Sequence, residues 1–265
     1  MNWLKLNNID YVIDKKRILS NINLTIDEGE NITILGPNGS GKSTLIKLIS
    51  RSIYPEVKED SELIIYGRKH INIWEMRSKI GFVTNEIHER INSKITLNDL
   101  IISGFYGSIG IPINEKPNEY QYFTSKILLE KFGLLHSIDS KYKCLSDGQK
   151  RIALIIRALV HNPRILILDE PTINLDIKSY FILLEFLGKL TLDGVNLVIV
   201  TNNLESIIKE TTRVILIKKG RVVSDGTPRN IINSENIKNL FDLDINVMYI
   251  NGYWRISPGS KPLAY

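Results

Sequence analysis

Cysteine is nearly absent from this 265-residue chain: Cys144 stands alone. A single thiol cannot close an internal disulfide, so a reducing compartment such as the cytoplasm is expected. Long apolar runs are missing too. Nowhere do about 18 apolar residues run without a charge, so no helix is expected to span a bilayer. The opening eight residues, broken by Lys5, do not suit a secretory leader. Charge of one sign is scarce: 34 Lys+Arg against 29 Asp+Glu leave a net +5. No run reaches five basic residues, so nucleic-acid binding is not expected. Internal repeats and low-complexity segments are lacking. With 43% apolar and 24% charged residues, the composition excludes disorder and collagen. The length suits one large domain, or a domain carrying a sub-domain.

What is present is a series of short strands alternating with helices. Residues 3–6 alternate, and residues 22–26 alternate strictly, as a half-buried antiparallel strand does. A turn at 27–30 leads to an apolar strand at 32–35, a glycine-rich loop at 36–41 and a helix over 42–50. Further strands are predicted at 63–66, 80–83, 165–168, 197–200, 214–217 and 221–224. Helical spacing marks 96–103, 120–132, 146–161 and 177–190. No convincing strand falls among the helices between about 88 and 158. The pattern predicts an α/β fold with a mostly parallel sheet covered on both faces, interrupted by a helical segment. At the tail, 247–250 and 253–256 flank Asn251-Gly252, which predicts a hairpin.

Gly36-Pro37-Asn38-Gly39-Ser40-Gly41-Lys42-Ser43-Thr44 matches the P-loop pattern in full. Its glycines let successive backbone N–H groups turn inward at a helix N-terminus and cradle phosphates. Lys42 supplies a point charge to the β- and γ-phosphates, and the Ser43 hydroxyl can ligate Mg²⁺. Ile165-Leu166-Ile167-Leu168-Asp169-Glu170 reads as a buried strand delivering two carboxylates at its C-terminal end, where open α/β sheets bind ligands. Asp169 is placed to hold Mg²⁺ and Glu170 to polarise an attacking water. Leu145-Ser146-Asp147-Gly148-Gln149 opens an amphipathic helix with Ser146 as N-cap; taken alone, it could be no more than a capped helix.

The order of these motifs resembles the ATP-binding cassette (ABC) ATPases, from Leu6 to about Phe241. The P-loop GPNGSGKST, the signature LSDGQ, the acidic strand ILILDEP and the following Thr172-Ile173-Asn174-Leu175-Asp176 appear as in that family. The resemblance implies a P-loop NTPase fold of the ABC type, with an antiparallel β sub-domain and an inserted helical sub-domain. The ATP-binding core would cover about 1–87 and 159–245, the helical sub-domain about 88–158 and the hairpin about 246–257. It implies ATP and Mg²⁺ as ligands, with Tyr11 stacking on adenine. Two cassettes would form a sandwich in which Ser146, Gly148 and Gln149 of one cap the ATP on the P-loop of the other. Asp176 would link the two sites. One chain has one P-loop and one signature, so a second cassette is implied, identical or not.

Three positions depart from the family pattern. Asn85 stands where a glutamine usually contacts Mg²⁺, with the same amide on a side chain shorter by about 1.5 Å. Asn202 stands where a histidine usually hydrogen-bonds the γ-phosphate, and Asp147 replaces the signature's central glycine. Residues 103–112 and 82–88, with LSDGQKRIALIIRALV, resemble the ModF-like ATPases of molybdate uptake loci. Phe105 and Tyr106 read either as packing within the helical segment or as contacts to a partner protein. His88, His136 and His161 lack any metal-ligand spacing. The implied function is the cytoplasmic ATPase of a membrane importer, peripheral to a separate permease. The alternative is a soluble, non-transport ABC ATPase with slow hydrolysis. Asn202 also raises a nucleotide-gated binding module with negligible turnover, against which Glu170 argues.

Overall fold

Two long strands open the fold of the computed structural model, which describes residues 2–259 except the side chains of 88 and 89. β1 (Asn2–Ile13) and β2 (Lys16–Asp27) pair antiparallel, and β4 (Glu62–Ile65) joins the far edge of β1. Both are longer than their alternation suggests, because register shifts near Leu6, Ile9 and Tyr11 break the period of two. Between β2 and β4 lie β3 (Ile32–Leu35), buried throughout, and α1 (Lys42–Ile49).

The described residues form two compact units, one made of the stretches before Trp74 and after Val195, the other of Trp74–Val195. In the second unit α2 (Ile73–Lys79) leads into β5 (Ile80–Val83) and the short α3 (Asn85–Arg90). The helices α4 (Leu97–Ile102), α5 (Glu119–Lys131) and α6 (Asp147–Ala158) follow without an intervening strand. Thr96, Asn118 and Ser146 cap them, each accepting from the backbone N–H three residues on. β6 (Ile165–Asp169) pairs parallel with β5, and α7 (Ile177–Leu192) completes the unit.

The chain then returns to the first unit. β7 (Asn196–Thr201) and β8 (Arg213–Lys218) flank β3 in parallel, and β9 (Arg221–Gly226) closes the edge antiparallel to β8. Two short helices, α8 (Pro228–Ile231) and α9 (Ser234–Phe241), precede the tail. The expected hairpin forms from β10 (Ile245–Ile250) and β11 (Tyr253–Pro258), with Asn251 and Gly252 both at positive φ in the turn. Its Trp254 is buried with Leu216, Ile237, Leu240 and Ile245, so the hairpin shares the core under β8.

Ser103, Phe105, Tyr106 and Ser108 make contacts within the helical segment. Arg157 donates to Ser103 Oγ and to the Ser108 carbonyl. Phe105 meets Tyr120 and His161 edge-on at 6.0 and 5.4 Å, and the Tyr106 hydroxyl donates to Gln121 Oε1 at 3.0 Å. Burial pushes His161 below the ordinary imidazole value. The side chain of His88 lies outside the described residues.

Candidate functional site

The loop after β3 is shaped by what surrounds it. A Cβ at Gly36 would lie 2.2 Å from the Ile217 carbonyl oxygen and 2.8 Å from Ser40 Oγ, so only glycine lets the loop leave the strand here. Gly41 is the N-cap of α1 at φ 102, a left-handed conformation. The first-turn N–H groups of α1 have no intrahelical partner, and the helix dipole favours an anion there. Lys42 is buried, yet its Nζ turns over the loop and donates to the Gly36 and Pro37 carbonyls at 2.8 and 3.1 Å. Asn38, Gly39 and Ser43 are exposed and Thr44 is half-buried.

Ser40 supplies a test of fit. Its Oγ is buried with no hydrogen-bond partner among the described residues, while the Gly220 N–H donates to its carbonyl. A buried hydroxyl in that state is destabilising, and a phosphate oxygen would accept from it. A glycine-lined turn, a cation folded over it and an uncommitted hydroxyl together fit a polyphosphate.

Asn202 follows β7 and donates through Nδ2 to Asn38 Oδ1 at 2.7 Å. It therefore reaches the P-loop, but its proton is directed at a loop residue. Asn203 closes the turn instead, donating to Thr201 Oγ1 and accepting from the Glu205 N–H. Tyr11 is half-buried on β1 between two register shifts, which re-aim side chains. Beside it Asp10 is buried. Burial alone would raise its carboxyl, but Lys58, the Asn21 N–H and Arg17 hold it below the ordinary value.

In the second unit β6 is buried along its whole length and ends on Asp169, itself buried. Glu170 is half-buried at φ 48, a left-handed conformation that non-glycine residues seldom adopt and that stores strain where it occurs. Asn85 is the first residue of α3, and its Oδ1 accepts from Arg151 Nη1 at 3.3 Å.

Ser146, exposed, and Gln149 form a reciprocal capping box: Gln149 N–H donates to Ser146 Oγ, and Ser146 N–H to Gln149 Oε1. The extra charge of Asp147 is met locally by Lys150 at 2.9 Å. At Gly148 a Cβ would come within 2.8 Å of the Ser179 side chain. Ser179 in turn donates its N–H and hydroxyl to Asp176, the N-cap of α7, which lowers the Asp176 carboxyl below its ordinary value. Gly148 and Asp176 thus meet through Ser179.

Ser179 and Arg151 escaped sequence reasoning. Ser179 had a signal, an Asp followed three residues later by Ser at a helix start. Arg151 had none, being one of several cations on an amphipathic helix.

A family model described as "ABC transporter" matches residues 19–173, more than half of the chain. The chain belongs to the ABC transporter family. A Streptococcus mutans ABC transporter ATP-binding protein is 30% identical over 253 residues, covering 95% of this chain and 96% of that protein. The hemin import ATP-binding protein HmuV of Aliivibrio fischeri is 29% identical, covering 90% of each. Among solved structures, a metal-chelate type ABC transporter in an inward-facing conformation has a TM-score of 0.78 at 24% identity, covering 97% of this chain and 96% of that one. At that identity it speaks for the fold alone. An ATP-binding cassette solved as a dimer in a post-hydrolysis state with ADP and Pi has a TM-score of 0.69 at 28% identity, covering 84% of this chain and 98% of that one.

The ABC chain is therefore an ATP-binding cassette of P-loop NTPase fold, the ATPase component of a transporter. No helix among the described residues is long and apolar enough to cross a membrane.

Proposed function

We propose that this cassette works as an ATP sandwich with a second cassette, on the cytoplasmic face of a separate membrane permease that it powers. Its own P-loop holds ATP through the backbone of Gly36, Pro37, Asn38, Gly39, Ser40 and Gly41, with Lys42 and Thr44 on the phosphates and Tyr11 against the adenine. Ser43, Asp169 and Asn85 are the oxygen donors for Mg²⁺, a hard cation that prefers such ligands and that neutralises phosphate charge when bound. Glu170 polarises the attacking water, and Asn202 addresses the γ-phosphate. Ser146, Gly148 and Gln149 cap the ATP of the opposing cassette, and Asp176 couples the two sites.

The observation that carries this reading is the P-loop itself: Lys42 lies over a glycine-shaped cradle in which Ser40 Oγ has no hydrogen-bond partner among the described residues. The run of α4, α5 and α6 without a strand supports a helical sub-domain at about 88–158 within the core. Residues 82–88 and 103–112 support placing the chain in the ModF-like group.

The test is sedimentation of Glu170→Gln, which leaves nucleotide binding intact while slowing hydrolysis. Dimer with Mg²⁺-ATP and monomer with ADP is the expected result, because only ATP offers a γ-phosphate to the opposing Ser146 and Gly148. Monomer at saturating ATP would exclude the homodimer and leave the partner cassette to a different chain.

A further inference from the structure

Arg151 stands one turn into α6, the helix that Ser146 opens, and is only 5% exposed. Buried guanidinium groups are rare unless something specific holds them. This one reaches α3, where Nη1 donates to Asn85 Oδ1 at the long end of hydrogen-bond range, 3.3 Å. Burial lowers the affinity of the guanidinium for its proton, while Tyr142, Asp147 and Asp169 act to preserve the charge. Tyr142 is a buried phenol in the turn before α6, Asp147 belongs to the signature and Asp169 ends β6. One cation on the signature helix is therefore bonded to the amide at the head of α3 and attracted by the carboxylate at the end of the acidic strand.

We infer that Arg151 is a positioning residue for ATP hydrolysis, tethering Asn85 to the signature helix so that the shorter amide is held in a working place. This rests on the role proposed above for Asn85. The physical case is one of reach. Asparagine is about one C–C bond shorter than glutamine, so a misdirected amide has less slack to recover its position. A planar, multi-donor fork fixes an acceptor's direction better than an ammonium does. The tether would also pass movement of the signature helix to Asn85, since no other described side chain hydrogen-bonds Asn85.

The experiment is a double-mutant cycle on the full chain, reading kcat and KM for ATP by phosphate release. Arg151→Met is expected to lower kcat about ten- to a hundredfold, the scale of a misplaced group, with KM within about twofold. In an Asn85→Ala background the same substitution should cost almost nothing further, because the tether has no acceptor left. In the Glu170→Gln background, Arg151→Met should still dimerise with ATP, which a general defect of α6 would prevent. If Arg151→Met does not fold, Arg151→Lys, which keeps charge but loses the fork, is read in the same cycle with a smaller loss expected.

Equal losses in both backgrounds, an unchanged kcat, or loss of the ATP dimer would each overturn the tether while leaving the Asn85 assignment standing. Asn85→Ala as fast as wild type would remove the Asn85 assignment and the tether together.

Discussion

Asn202 has an amide donor where the family pattern has an imidazole, and that donor is committed to Asn38 at 2.7 Å. Preorganised donors act on the charge that spreads over the γ-phosphate oxygens as the phosphoryl group transfers. An amide that must first leave Asn38, and that cannot become cationic, should serve this role weakly. Asn202→His is therefore expected to raise kcat about tenfold or more, within the range that one such donor supplies, with little change in ATP affinity. Steady-state phosphate release by the two proteins, against Glu170→Gln as background, is the measurement. A variant no faster than wild type would mean that the amide is not the limiting departure. Wild-type release equal to the background would contradict hydrolysis by this chain. Asp147, also a departure, needs no such test, since Lys150 neutralises it within its own helix turn.

At the scale of elements, the tail shows what holds the periphery. β11 places Trp254 in one buried apolar cluster with Ile237 and Leu240 of α9 and Leu216 of β8, with only 9% of the residue exposed. Trp254→Ala should cost about 3–5 kcal/mol, the usual range for removing a large buried aromatic. Urea unfolding would show it, and a loss under about 1 kcal/mol would mean that the hairpin contributes little to the core. The hairpin was legible because Asn-Gly is a strong turn signal. The helix it packs on was not: α9 has only eight residues and α8 four. Over such lengths a few apolar residues cannot separate helical from other periods. The capping box of α6, by contrast, is legible in Ser146 and Gln149 along the chain, because it is a contact between residues three apart.

For the whole molecule, the nucleotide should act as a stabilising ligand. Anything that binds only the folded state adds RT ln(1 + [L]/Kd), about 2.7 kcal/mol at a hundredfold excess over Kd. Mg²⁺-ATP is expected to raise the unfolding midpoint of the wild-type chain, and Lys42→Ala should lose that shift while unfolding normally without nucleotide. The reason is that Lys42 Nζ donates to the carbonyls of Gly36 and Pro37 within the P-loop itself. A Lys42→Ala protein with the full ATP shift would contradict the P-loop assignment.

The sequence by itself determined the P-loop, the acidic strand, the capped signature helix and the α/β alternation. Each is a local pattern in which residue type and spacing along the chain dictate the backbone. Tertiary structure alone decided which distant groups answer one another. Asn202 meets Asn38 across 164 positions, Arg151 meets Asn85 across 66, and Ser179 fills the space beside Gly148 while bonding Asp176. Such pairings depend on strand order, helix placement and side-chain reach, and no periodicity encodes them. The local rules specify where a phosphate can be held, and the packing specifies which amide, cation and hydroxyl are directed by their neighbours.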